Sequence, residues 1–142
     1  MGYWRKEEDS KQSLTVDGFF KTGDQARENA DGYITIVGRK TDLIITGGLN
    51  VYPVEVEKVI NDIKGVVECT IVGIPDDDFG EAVTAIVVRK DDSQLNENEI
   101  IELAKQKLAS YKVPKAVFFV STLPRNTMGK IQKNIIKQQF KK

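Results

Sequence analysis

Apolar and polar positions change period several times along the 142 residues, and each change marks an element. Asp31-Gly32 favours a tight turn, and Tyr33-Ile34-Thr35-Ile36-Val37 after it reads as a strand. Leu43-Ile44-Ile45-Thr46 is expected to form a second strand, broken by Gly47-Gly48. Pro53 then opens a helix at the first-turn position, where its missing N–H costs nothing. Val56, Val59, Ile60 and Ile63 follow at the i, i+3, i+4, i+7 spacing of one helix face, and Gly65 ends the helix. Strands are expected over residues 67–74 and 83–88, separated by an acidic loop over residues 75–81. Asn96 with Glu99 resembles a capping box, which predicts a helix over residues 97–109 that buries Ile100, Leu103, Ala104 and Leu108. A strand over residues 117–120 and a helix from about Lys130 to Gln139 complete the chain. Strands and helices alternate irregularly with short connections. This predicts an α+β fold from about Arg39 onward, a small, mainly antiparallel sheet with covering helices. Residues 2–12 show little periodicity and are not expected to form a core.

Composition narrows the class. Hydrophobic residues make up 40% and charged residues 30%, the balance of an ordinary globular domain. Lys and Arg total 21, as do Asp and Glu, so no overall field draws the chain to nucleic acid or to a membrane. The charge is uneven, because residues 123–142 carry Arg125, Lys130, Lys133, Lys137, Lys141 and Lys142 with no acid. Most of these read as a solvated helix face and a tail. Cys69, the one cysteine, lies in the apolar run of residues 66–72 and reads as a small buried hydrophobe. The chain has no histidine, which removes Ser-His-Asp triads, Cys-His pairs and most zinc sites, and no metal site is expected. No apolar run reaches transmembrane length and no signal peptide opens the chain, so a cytoplasmic location is expected.

Several residues could carry chemistry. Asp24, on the turn Thr22-Gly23-Asp24, can accept hydrogen bonds from both hydroxyls of a ribose, or serve as a simple turn aspartate. The Arg39 guanidinium suits ribose and phosphate oxygens, or a surface salt bridge. Gly47-Gly48 lets a backbone approach a ligand closely, or forms a hairpin turn. Lys130 offers a mobile ammonium after Gly129, although by residue type it is an ordinary lysine of a basic tail. Gly129-Lys130 is not a phosphate-binding P-loop, since Ile131 follows and no glycine stands five residues before Gly129.

Four segments in fixed order say more than any one of them. They are Thr22-Gly23-Asp24, Gly38-Arg39-Lys40-Thr41-Asp42, the run from Thr46 to Pro53, and Pro124-Arg125-Asn126-Thr127-Met128-Gly129-Lys130. Together they resemble the C-terminal part of the adenylate-forming enzymes. That superfamily holds acyl-CoA synthetases, adenylation domains of peptide synthetases and beetle luciferases. The resemblance runs from about Gly2 to Phe140, and Gly-Gly-Leu-Asn-Val-Tyr-Pro is most similar to malonyl-CoA and fatty acyl-CoA ligases.

The resemblance implies roles. Lys130 would place positive charge on the α-phosphate and the attacking carboxylate while pyrophosphate leaves. Asp24 and Arg39 would bind the ribose and phosphate of ATP or AMP. Ile36 would pack near the adenine, although a strand isoleucine is core by default. The Arg39–Asp42 turn would be a hinge, with Thr41 where the family usually has Asp or Lys, a stiffer β-branched choice. Gly47, Gly48 and Asn50 would line the path of the CoA thiol. Phe79 and Tyr111 would sandwich the CoA adenine, with basic side chains such as Lys115 at its phosphates. Core or surface packing is an equal alternative for these aromatics.

The expected reading is therefore the tail of an N-terminal domain, residues 1–38, followed by a mobile lid domain, residues 39–142. The body before it would supply the glycine-rich phosphate loop, the acyl pocket and most contacts to Mg2+. In that body's absence Tyr3, Trp4, Phe19 and Phe20 would lack their partner, and the chain would not catalyse. Two alternatives stay open: a domain that loads a carrier protein instead of CoA, and a non-catalytic binding module.

Overall fold

The computed structural model describes residues 7–141, so Tyr3 and Trp4 lie outside the described residues. The chain forms two compact units that divide between Thr41 and Asp42.

In the first unit a short helix, α1 (Glu7–Gln12), occupies the stretch whose sequence shows no clear period. Strands β1 (Asp24–Glu28) and β2 (Ile34–Arg39) form an antiparallel hairpin. The Asn29 N–H donates to Tyr33 O at 2.8 Å and the Gly32 N–H to Asn29 O at 2.9 Å. Gly32 takes a φ of 83°, the left-handed third position of a three-residue hairpin loop. Asp31-Gly32 thus turns the chain as the sequence predicts, and β1 before it was not foreseen. The register steps from Gln25↔Gly38 to Ala26↔Ile36 and leaves Val37 as an extra residue in a bulge. Phe19, Phe20, Tyr33 and Ile34 are exposed.

The second unit begins with β3 (Ile44–Thr46) and β4 (Leu49–Val51), followed by α2 (Pro53–Asn61). The long strands β5 (Val66–Asp76) and β6 (Gly80–Arg89) come next, then α3 (Glu97–Lys105), β7 (Ala116–Phe119) and α4 (Lys133–Phe140). The sheet order is β4-β3-β6-β5, all antiparallel, and β7 pairs with β6 in parallel. The fold is α+β with a mainly antiparallel sheet.

Both faces of β5 and β6 are covered, which explains their near-continuous apolar runs. Side chains alternate in direction along a strand. Cys69, Ile71, Val83, Ala85 and Val87 join Val56, Ile60 and Ile100 of α2 and α3 in one core. Val72, Ile74 and Ile86 join Leu123 and Ile136 of α4 in a second core on the other face. Val56 and Ile60 are buried as their spacing predicts.

Several boundaries differ from the sequence expectation, and α2 ends at Asn61, short of Ile63 and Gly65. The acidic loop shrinks to residues 77–79, because the β5–β6 ladder continues through Pro75↔Glu81 to Asp76↔Gly80. Pro75 is tolerated since β5 is an edge strand. The Asp76 carboxylate accepts from the N–H groups of Asp78 and Phe79 at 3.0 and 3.1 Å and closes the turn. Helix α3 has the expected Asn96–Glu99 capping box but stops at Lys105, where the N–H groups of Lys107 and Leu108 both turn to Ala104 O. Leu103, expected to be buried, borders a surface depression with Val59 and Ile63 and stays 38% exposed. Helix α4 starts at Lys133 rather than Lys130. The preceding backbone is taken up by an Arg125↔Ile131 bridge and by a bond from Gln132 N–H to Pro124 O.

Candidate functional site

The β1–β2 hairpin brings three candidate residues onto one face. Asp24 stands directly opposite Arg39, and Ala26 opposite Ile36. Asp24 and Ala26 are two apart on β1 and share a face, so their partners share it too. Without the extra residue at Val37, Ile36 and Arg39 would point to opposite faces. Arg39 Nε lies 3.5 Å from Asp24 Oδ1, and the arginine side chain is more exposed than the carboxylate. The Asp24 N–H donates to Thr22 Oγ1 at 3.2 Å, which holds the turn. Ile36 is 67% exposed, so it is surface and not core. Thr41 lies in a 3₁₀ turn, Lys40–Asp42, and is the last residue of the first unit.

In the second unit the Lys130 loop is built around Asn126. The Asn126 Oδ1 accepts from the N–H groups of Met128 and Lys130 at 3.0 and 2.9 Å, and the Asn126 N–H donates to Lys130 O at 2.9 Å. Gly129 makes the return at a φ of 81°. Arg125 braces the loop. One guanidinium nitrogen donates to Gly129 O at 2.9 Å and the other pairs with Glu68 on β5. Lys133, three residues on, pairs with Glu57 on α2 at 2.9 Å. The Lys130 side chain is exposed, and its Nζ has no ion-pair partner among the described residues. Its backbone is fixed while its ammonium, among the described residues, makes no ion pair.

Four of the six CoA candidates meet at one cleft of about 320 Å³. Gly47, Phe79, Tyr111 and Lys115 line it, with Thr46, Leu49 and Ser110. Gly47 and Gly48 have φ values of 55° and 77°, as a two-residue type I′ hairpin requires. They join β3 to β4, a strand the sequence reading missed. The Gly47 N–H donates to Phe79 O at 2.8 Å and ties this turn to the β5–β6 turn. Lys115 Nζ sits 4.6 Å from the Phe79 ring centroid, within cation–π range. Lys112 Nζ lies 5.6 Å from the Tyr111 ring, and it bonds both Glu55 oxygens at 2.7 and 2.8 Å. That hydrogen bond holds its pKa above the usual lysine value. Gly48 and Asn50 are exposed and do not line the cleft. Among the described residues no cluster of His, Cys, Asp or Glu could hold a metal ion, and no helix is long and apolar enough to cross a membrane.

A family described as the AMP-binding enzyme C-terminal domain matches residues 55–130. The chain belongs to that family. The matched span runs from the first turn of α2 to Lys130 itself. A long-chain-fatty-acid–CoA ligase of Mycobacterium tuberculosis is 41% identical over 97% of the chain and 27% of the ligase. A malonate–CoA ligase of Arabidopsis thaliana is 40% identical over 97% of the chain and 24% of the ligase. Among solved structures, ATP-bound MatB from Rhodopseudomonas palustris superposes with a TM-score of 0.91 at 48% identity, covering 99% of this chain and 28% of MatB. An amide bond synthetase, McbA of Marinactinospora thermotolerans, superposes at 0.88 with 35% identity, covering 98% of this chain and 28% of McbA. The chain spans about a quarter of the length of these relatives.

Proposed function

We propose that this chain is the mobile C-terminal domain of an acid–CoA ligase, with a larger N-terminal domain that completes the enzyme. The observation that carries this is the built loop that presents Lys130. Asn126 and Arg125 fix its backbone, while its Nζ has no ion-pair partner among the described residues. A cation held in place but not neutralised suits the charge that develops when a carboxylate attacks an α-phosphate.

In the first half-reaction, carboxylate and ATP give an acyl-adenylate and pyrophosphate. Lys130 stabilises the α-phosphate and the attacking oxygen. The Asp24 carboxylate accepts from the ribose hydroxyls, Arg39 stays near the ribose and phosphate, and Ile36 meets the adenine from the same face. Mg2+ would neutralise the departing pyrophosphate, held mainly by the N-terminal domain. Rotation about Thr41 then withdraws Lys130. The Gly47-Gly48 turn, with Asn50, borders the path of the CoA thiol, which displaces AMP and forms the thioester. Phe79 and Tyr111 bind the CoA adenine and Lys115 its phosphates. The domain serves each half-reaction in turn, which is a gating motion.

The cleft favours CoA as acceptor over a carrier protein, because aromatic and cationic side chains line a space suited to a nucleotide. The likeness to an amide bond synthetase keeps an amine acceptor as the second reading. The test is to assay the protein with its N-terminal domain for pyrophosphate release against malonate, short and long fatty acids, aryl acids and amino acids. CoA, a phosphopantetheinylated carrier or an amine is then supplied as acceptor. Thioester made from CoA with one acid class supports the proposal. Product from the carrier or the amine alone contradicts its CoA step, and no pyrophosphate with any acid supports the binding-module reading.

A further inference from the structure

We infer that Glu81 is a positioning residue for the Gly47-Gly48 turn, and that Gly73 lacks a side chain in order to admit its carboxylate. Strand β3 is joined to β6 by one paired position, Thr46↔Gly80. Beyond it, the Ile45 N–H donates to Glu81 Oε2 at 2.9 Å, so a side-chain carboxylate stands in for a backbone acceptor. Together with the bond from Gly47 N–H to Phe79 O at 2.8 Å, this fastens β3 and its turn to β6. Gly73, on the neighbouring β5, makes room. A Cβ there would lie 2.7 Å from Glu81 Oε1 and 3.1 Å from Ile44 Cγ2. Gly73 is not among the glycines with positive φ, so backbone freedom does not account for it. What its hydrogen provides is space for the carboxylate of Glu81, which pairs with Pro75 two positions further along β5.

The inference deepens the CoA reading of the cleft, and rests on it for the binding effect alone. The test uses the protein with its N-terminal domain, carrying Glu81→Ala, Glu81→Gln, Gly73→Ala or the Gly73→Ala/Glu81→Ala pair. Amide hydrogen exchange at Ile45 and Gly47 reports the turn, and a CoA titration followed at the Gly47 amide reports the cleft. Loss of a hydrogen bond to a charged acceptor predicts exchange at Ile45 faster by about 10-fold or more in Glu81→Ala. Gly73→Ala should reproduce that increase with Glu81 still present. Glu81→Gln keeps an acceptor oxygen and should stay near wild type. The pair should show no further increase over Glu81→Ala, because the carboxylate is already gone. Unchanged Ile45 exchange in both Glu81→Ala and Gly73→Ala would overturn the inference. Should Glu81→Ala not fold, the comparison of Gly73→Ala with Glu81→Gln decides by the same readout. A wild-type protein, with its N-terminal domain, that shows no CoA-dependent change defeats the CoA reading and leaves the exchange result to judge the role of Glu81.

Discussion

Lys133 Nζ lies 2.9 Å from Glu57 Oε1, and both side chains are about four-fifths buried, at 19% and 20% exposure. The same oxygen accepts from Thr70 Oγ1 at 3.2 Å and from the Ile71 N–H at 3.0 Å. One carboxylate thus ties α2 to β5 and to the first residue of α4. Helix α4 follows directly from the Lys130 loop, so Glu57 anchors the element that carries the proposed catalytic lysine.

Truncating Glu57 should therefore be among the costlier single changes. Glu57→Ala leaves Lys133 and the Ile71 N–H partly buried without an acceptor, a loss on the order of 3 kcal/mol. Lys133→Met removes the charge but keeps the apolar stem and should cost less. Urea unfolding of both variants checks this, and a loss below about 0.5 kcal/mol for Glu57→Ala, within the range of a surface change, would remove the hub from the account.

Cys69 should be inert in the native chain. Burial first, and the nearby Glu57 carboxylate second, push its thiol from an ordinary value near 9 up to about 12. The folded state therefore holds this proton through a range in which the unfolded chain has lost it. Its stabilising contribution is complete below pH 9 and is lost as pH rises from there toward 12, at up to about 1.4 kcal/mol per pH unit. Alkylation at pH 8 should be slow until urea unfolds the chain. Fast alkylation of native chain would contradict the burial of Cys69.

The cleft makes a separable prediction. In the protein with its N-terminal domain, Phe79→Ala and Tyr111→Ala should each raise the KM for CoA by about 10-fold, given ~1–3 kcal/mol per stacked base. Pyrophosphate release in the absence of CoA should not change. Equal loss in both half-reactions would mean that these aromatics maintain the fold and do not hold CoA.

Periodicity made the second unit legible. The α2 face, the Asn96 cap and the cores of β5 and β6 each follow from local pattern, because one residue spacing sets which side chains meet. Boundaries failed where the deciding partner lies far along the chain or is backbone. Pro75 reads as a strand breaker, yet an edge strand accepts it. Ile131 reads as helical, yet it bridges to Arg125. The bulge at Val37 left no sequence mark, although it brings Ile36 onto the face of Asp24 and Arg39. Glu81 could have been suspected as an acid beginning an otherwise apolar strand. Gly73 could not, since its need for space arises from a neighbouring strand.

The central claim is that Lys130 acts in adenylation and leaves before thioester formation. The direct measurement compares wild type and Lys130→Ala, in the protein with its N-terminal domain, in two half-reactions: pyrophosphate release from ATP and acid, and thioester formation from preformed acyl-adenylate and CoA. The account predicts that release falls by about 10²-fold or more, as when a transition-state charge contact is lost, while thioester formation stays near wild type. Release that survives the substitution would contradict the account.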